Sequence, residues 1–131
     1  MHLELGDETF IAADRRLVAA VVGDPHRWPL WWPDLDLEVL RDRGDKGRQW
    51  RLAGAIGGTA EIYLEPWHDG TVVHLFLRLE VPDGSRPDRP HAEDERRRAW
   101  KRTIHQLKDE LEAGRRPGAD ARRDPQVEHP T

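Results

Sequence analysis

The apolar positions of this chain change their spacing as the sequence proceeds, and each change predicts an element. Leu3 and Leu5 alternate with polar residues and Phe10 and Ile11 follow, which predicts an opening strand. From Asp14, a residue able to cap a helix, Leu17, Val18, Val21 and Val22 recur at helical spacing, and Gly23 and Pro25 then stop the helix. The stretch DPHRWPLWWPDLDLEV, Asp24 to Val39, sets Trp28, Trp31 and Trp32 among Pro25, Pro29 and Pro33. Proline at that density interrupts any long helix, so the stretch reads as an elbow. From Leu35 the period is two: Leu35, Leu37 and Val39 alternate with Asp36, Glu38 and Leu40, as in a strand with one buried face. A turn over Asp42 to Gly47 leads to the strand RQWRLAGAI, a turn at Gly57-Gly58 to TAEIYLEPW, and a turn at Asp69-Gly70 to TVVHLFLRLEV.

The last hairpin suggests its own register. With Asp69-Gly70 as a two-residue turn, Glu61 faces Arg78, Tyr63 faces Phe76 and Glu65 faces His74, while the other face pairs Ala60 with Leu79, Ile62 with Leu77 and Leu64 with Leu75. The preceding hairpin admits two registers. With Gly57-Gly58 central, Gln49, Arg51, Ala53 and Ala55 lie on the core face, as a ligand cavity would need. A shift of one residue fills that space with Trp50 and Leu52 instead. Burying an unpaired arginine is expensive, which favours the second.

After a proline-rich loop, Val81 to Pro90, a long helix begins with Glu93, Asp94 and Glu95 in its first turn, where the helix dipole favours anions. Trp100, Ile104, Leu107 and Leu111 form its apolar stripe. Continued backwards, that stripe meets Arg97, Arg96 and Glu93, so the first half of the helix has a polar underside. From Gly114 onward the chain mixes Gly, Pro, Arg and Asp with almost nothing apolar and reads as a flexible tail, 114–131, behind a single domain, 1–113.

Composition narrows the function classes. Charged residues are 35% of the 131, the formal charge is −4 and of mixed sign, and cysteine is absent. This points to a soluble, cytoplasmic protein without a nucleic-acid surface, a disulfide or a thiolate chemistry. The basic run ERRRAWKR spreads over several helix faces and is interleaved with acids. GAIGG lacks the strand-to-helix setting of a phosphate loop. Glu61 and Glu65 have cross-strand partners, as on a solvated face. Histidines 26, 68, 74, 91 and 105 are scattered and predict no metal site, and no cofactor is expected.

The segment FIAADRRLVAAVVGDPHRWPLWWPDL, Phe10 to Leu35, followed by GTVVHLFLRLEV and the amphipathic helix through Leu111, resembles the helix-grip fold of the START-like superfamily, in particular its bacterial polyketide cyclase/dehydrase-like branch. The resemblance covers about residues 2 to 113 and implies an α+β fold, an antiparallel sheet curved around a long C-terminal helix. The family usually has seven strands, whereas five can be placed here, as though a middle hairpin were missing, which reduces any cavity. It carries over no catalytic residue.

The resemblance implies a small apolar or aromatic ligand, lipid- or polyketide-like, held between sheet and helix. Trp31, Trp32, Arg51, Leu64, Leu75, Leu77, Arg97, Trp100 and Ile104 are the candidate lining residues. In that reading the elbow closes one end of the curved sheet; its tryptophans either fill core or line the cavity. Two alternatives stand beside it. One is a cyclase or dehydratase using Arg51, Glu93 or Arg97. The other is a protein-interaction module or homodimer using the outer sheet face through Tyr63 and Phe76.

Overall fold

A computed structural model describes residues 2–82 and 89–113. The predicted tail and most of the Val81–Pro90 loop lie outside the described residues. The elements are β1 (His2–Ile11), α1 (Arg15–Val22), α2 (Trp28–Trp31), β2 (Leu37–Asp42), β3 (Gly47–Ala53), β4 (Gly57–Trp67), β5 (Gly70–Glu80) and α3 (Arg89–Glu112), with a single 3-10 turn at Gly44–Lys46. The five strands form one sheet in the order β1-β5-β4-β3-β2, every neighbour antiparallel. One face is apolar and buried, carrying Leu3, Leu5, Trp50, Leu52, Ile62, Leu64, Val73, Leu75, Leu77 and Leu79. The alternation in the sequence supplies that face directly.

Three local expectations need correction. The β4–β5 turn is His68-Asp69, closed by Trp67 opposite Gly70, so Glu61 faces Phe76, Tyr63 faces His74 and Leu64 faces Val73. This differs from the Asp69-Gly70 register by two residues, which leaves every side chain on its expected face. Gly70 is needed for another reason: a Cβ there would stand 2.3 Å from the Ile11 carbonyl oxygen and 2.7 Å from the Phe10 ring. Likewise Gly57 and Gly58 open β4, and the β3–β4 turn is at 54–56. Gly58 has φ +120°, and a Cβ there would meet the Arg78 carbonyl oxygen at 1.9 Å, so this glycine marks close approach of β5. The resulting register puts Trp50 and Leu52 inside and turns Arg51 outward, where Nη2 donates to Glu38 at 2.8 Å and 2.9 Å.

The third correction concerns β2. It starts at Leu37, forms the sheet edge and contains a bulge between Val39 and Arg41, so Val39 (49% exposed) and Leu40 (60%) are not buried. A bulge of this kind breaks the period-two alternation.

The helix α3 starts at Arg89, four residues before Glu93, so the acids fall in its second turn. It packs chiefly on β1. Ile104, Leu107 and Leu111 are buried beneath it. At its C-terminal end Lys108 Nζ donates to the Phe10 carbonyl at 2.8 Å, and Glu112 accepts from the Ala12 N–H at 2.6 Å.

Candidate functional site: a tryptophan-lined mouth

The elbow is built from short-range hydrogen bonds. Asp24 accepts from the His26 N–H at 3.0 Å, and Trp28 Nε1 donates to the Val22 carbonyl at 2.7 Å, tying α2 to the end of α1. Pro29 sits near the start of α2, where a missing N–H costs nothing. This places Trp28 edge-on to Trp50, with ring centroids 5.2 Å apart. Trp32 reaches further in. Its ring lies 11° from parallel with Trp100 of α3, centroids 5.6 Å apart, and Trp31 stands at 85° to both. Such offset and edge-to-face pairs are each worth about 0.5–1.5 kcal/mol beyond their buried area.

Beside this cluster is a half-open pocket of about 330 Å³, between the elbow, the start of β1, the β3–β4 turn and the first half of α3. Leu3, Trp31, Trp32, Pro33, Ile56, Val81, Ala92, Ala99 and Trp100 line it, with Asp34, Glu95 and Arg96 as its polar groups. Arg96 donates to both carboxylate oxygens of Asp34, at 3.2 Å and 2.5 Å. Partial burial would raise the Asp34 pKa, but the hydrogen bond and charge of Arg96 outweigh it and hold the carboxyl below its ordinary range.

Of the residues expected to line a cavity, the structure brings Trp31, Trp32 and Trp100 to this pocket. Leu64, Leu75, Leu77 and Ile104 are packed in the core, none more than 3% exposed. Arg51 is on the outer face, and Arg97 turns to the Gly6 carbonyl at 3.0 Å. Neither arginine proposed for acid–base work therefore faces the pocket, and Glu93 does not line it. Among the described residues no group of His, Asp and Glu has a metal-binding arrangement.

One polar cluster went unread in the sequence. Asp7 is an inward position of β1, its side chain 7% exposed under α3, where it takes Lys101 Nζ at 2.7 Å, Trp100 Nε1 at 3.1 Å and Thr9 Oγ1 at 3.0 Å. The available signal was the alternation itself, since Leu3, Leu5, Asp7, Thr9 and Ile11 share one strand face. These bonds orient the indole that forms the floor of the mouth. The remaining candidate surface, the outer sheet face, carries a shallow trough of about 600 Å³ lined by Glu4, Gln49, Thr59, Glu61, Arg78, Phe76 and Leu40, among others. Tyr63 and Phe76 are not side by side there; the His74 ring lies between, 5.6 Å from Tyr63 and 6.4 Å from Phe76.

Solved structures superpose on this fold. The Aha1 dimer from Colwellia psychrerythraea superposes with a TM-score of 0.61 at 16% identity, over 87% of this chain and 99% of that one. A START superfamily protein from Mycobacterium smegmatis gives 0.55 at 14% identity, over 86% and 98%. The fold is the START-like helix grip. An AHSA1-like protein from Rhizobium etli shares it, with a TM-score of 0.59 at 17% identity, over 100% of this chain and 94% of that one. No family model and no curated protein matches the sequence. In this helix grip the grip is partial: α3 closes on the sheet at its C-terminal end and leaves the pocket open at the other. Among the described residues no helix is long and apolar enough to cross a membrane.

Proposed function

We propose that the protein binds a small apolar or aromatic metabolite at the tryptophan-lined mouth between the sheet and α3, and that it does so in the cytoplasm. The observation that carries this is the pocket itself: about 330 Å³, walled by Trp31, Trp32 and Trp100. Small-molecule sites run from about 300 to 1,000 Å³ and are mostly apolar with a few placed polar groups. The pocket is at the small end because Trp50, fully buried, occupies the interior behind it. Tryptophan emission titrated against small aromatic and alicyclic compounds tests the reading. Saturable changes are expected in the wild type, and Ala99→Phe, which fills the pocket from α3, should abolish them while the circular dichroism of the fold is kept. The reading fails if no compound alters the emission, or if Ala99→Phe binds undiminished.

A second reading rests on the outer face. Phe76 is 51% exposed and lies on the trough that Leu40 also lines, and one protein sharing the fold, that from Colwellia, was solved as a dimer. A two-fold contact through this face would bury both residues. Sedimentation at tens of micromolar should then show a wild-type dimer and a Phe76→Glu monomer. A wild-type monomer removes the reading.

A further inference from the structure

We infer that the mouth selects an organic cation, an alkylated ammonium group carried on a small apolar body. The inference rests on the proposed binding function and adds a charge class to it. Of the three charged side chains on the pocket, Arg96 is paired with Asp34 through both carboxylate oxygens. Glu95 makes no hydrogen bond or ion pair among the described residues, so the described part of the wall carries one net negative charge. A ligand carboxylate that approached Arg96 would stand beside Asp34, which already neutralises that guanidinium, and near Glu95. Like charges so placed in a half-buried site repel strongly.

The aromatic walls favour the same sign. Indole faces attract a cation through the ring quadrupole, and tryptophan does so best among the aromatic side chains. Trp32 and Trp100 stack on one another and are 2% and 3% exposed, so the partly buried Trp31, at 85° to both, is the indole open to such a group. The dipole of α3 favours anions only near its first turn. Among the described side chains of that turn, Ala92 lines the pocket. A neutral ligand gains burial against these walls but nothing from Glu95, which makes charge the discriminating feature.

Three probes of nearly one outline read this directly: phenyltrimethylammonium, its neutral isostere tert-butylbenzene, and benzenesulfonate. Titrated into the full chain by calorimetry, the cation should bind roughly tenfold tighter than the isostere, the margin expected of a partly desolvated cation–π contact. The sulfonate should bind weakest, and the cation's advantage should shrink as salt rises. Glu95→Gln should reduce the advantage and Glu95→Arg should erase it, with the isostere's affinity unchanged in both, a control that also reports folding. Equal binding of cation and isostere, or a preference for the sulfonate, overturns the inference and leaves the proposed function standing. Failure of all three probes overturns both.

Discussion

The two ends of α3 meet the same sheet differently. Over its last turns Ile104, Leu107 and Leu111 are buried, Lys108 and Glu112 hold backbone groups at the end of β1, and Arg27 of the elbow pairs with Glu110 at 3.0 Å. Over its first turns the inward positions are Ala92, Ala99 and Trp100, and the space left by the two alanines is the pocket. One end is a close-packed grip and the other is a gap rimmed by the Arg96–Asp34 ion pair and Glu95. The comparison shows how a single helix can both close a core and leave a site: large apolar side chains fill the inward positions of one half, and in the other Ala92 and Ala99 leave space beside Arg96 and Trp100.

Three experiments would break or sharpen that contrast. The largest effect is expected at the closed end, where Ile104→Ala removes a side chain that is 1% exposed. It should cost about 2–5 kcal/mol in urea unfolding, whereas Arg96→Ala at the open end should cost about 1 kcal/mol, because its ion pair with Asp34 is only partly buried. Equal costs would mean that the mouth is as much part of the stabilising core as the far end.

Glu112→Ala comes next. It removes the acceptor of the Ala12 N–H and the partner of Lys108 at 2.7 Å. A loss of roughly 1–2 kcal/mol is expected. It should appear in hydrogen exchange as faster opening of the last turns of α3, with the exchange of β4 and β5 altered only through the global stability.

The smallest effect is pH dependence at the mouth. The Asp34 carboxyl, lowered in the fold from its ordinary value of 3.8, contributes stability that is complete above that value and lost as pH falls through the folded one. The small difference in stability between wild type and Asp34→Asn should therefore be constant from neutral pH down to about 3.8, decline below it, and vanish once the pH is below the folded value. A difference that grows on acidification would contradict the sign.

The core behind the mouth also contains a cost. Trp50 is fully buried and its indole N–H has no partner among the described residues. Leaving such a group unpaired costs about 1–3 kcal/mol. Its ring is nevertheless the hub between Trp28 and Trp32, at 5.2 Å and 5.8 Å. Ring contact and volume therefore hold this position against an unfavourable polar term.

Much of this architecture was legible in the residues. The two periods of the hydrophobic pattern place the strands and helices, the alternation of Ala60 to Leu64 and Val73 to Leu79 decides which face is buried, and Trp31, Trp32 and Trp100 stand out as aromatic surface with no strand to join. These are local properties, set by the geometry of a pleat or a helical turn. Tertiary structure alone decided the turns, the edge and the site. Gly57-Gly58 and Gly70 read as turn residues because glycine suits turns, yet Gly58 and Gly70 are required by the carbonyl of Arg78 and by Ile11 and Phe10, on strands near in space and distant in sequence. Val39 and Leu40 read as part of an amphipathic strand, and only their place at the sheet edge exposes them. The pocket depends on which helix residues face the elbow across a distance that no sequence period encodes. Ala92 and Ala99 acquire their meaning there, through the space they leave unfilled.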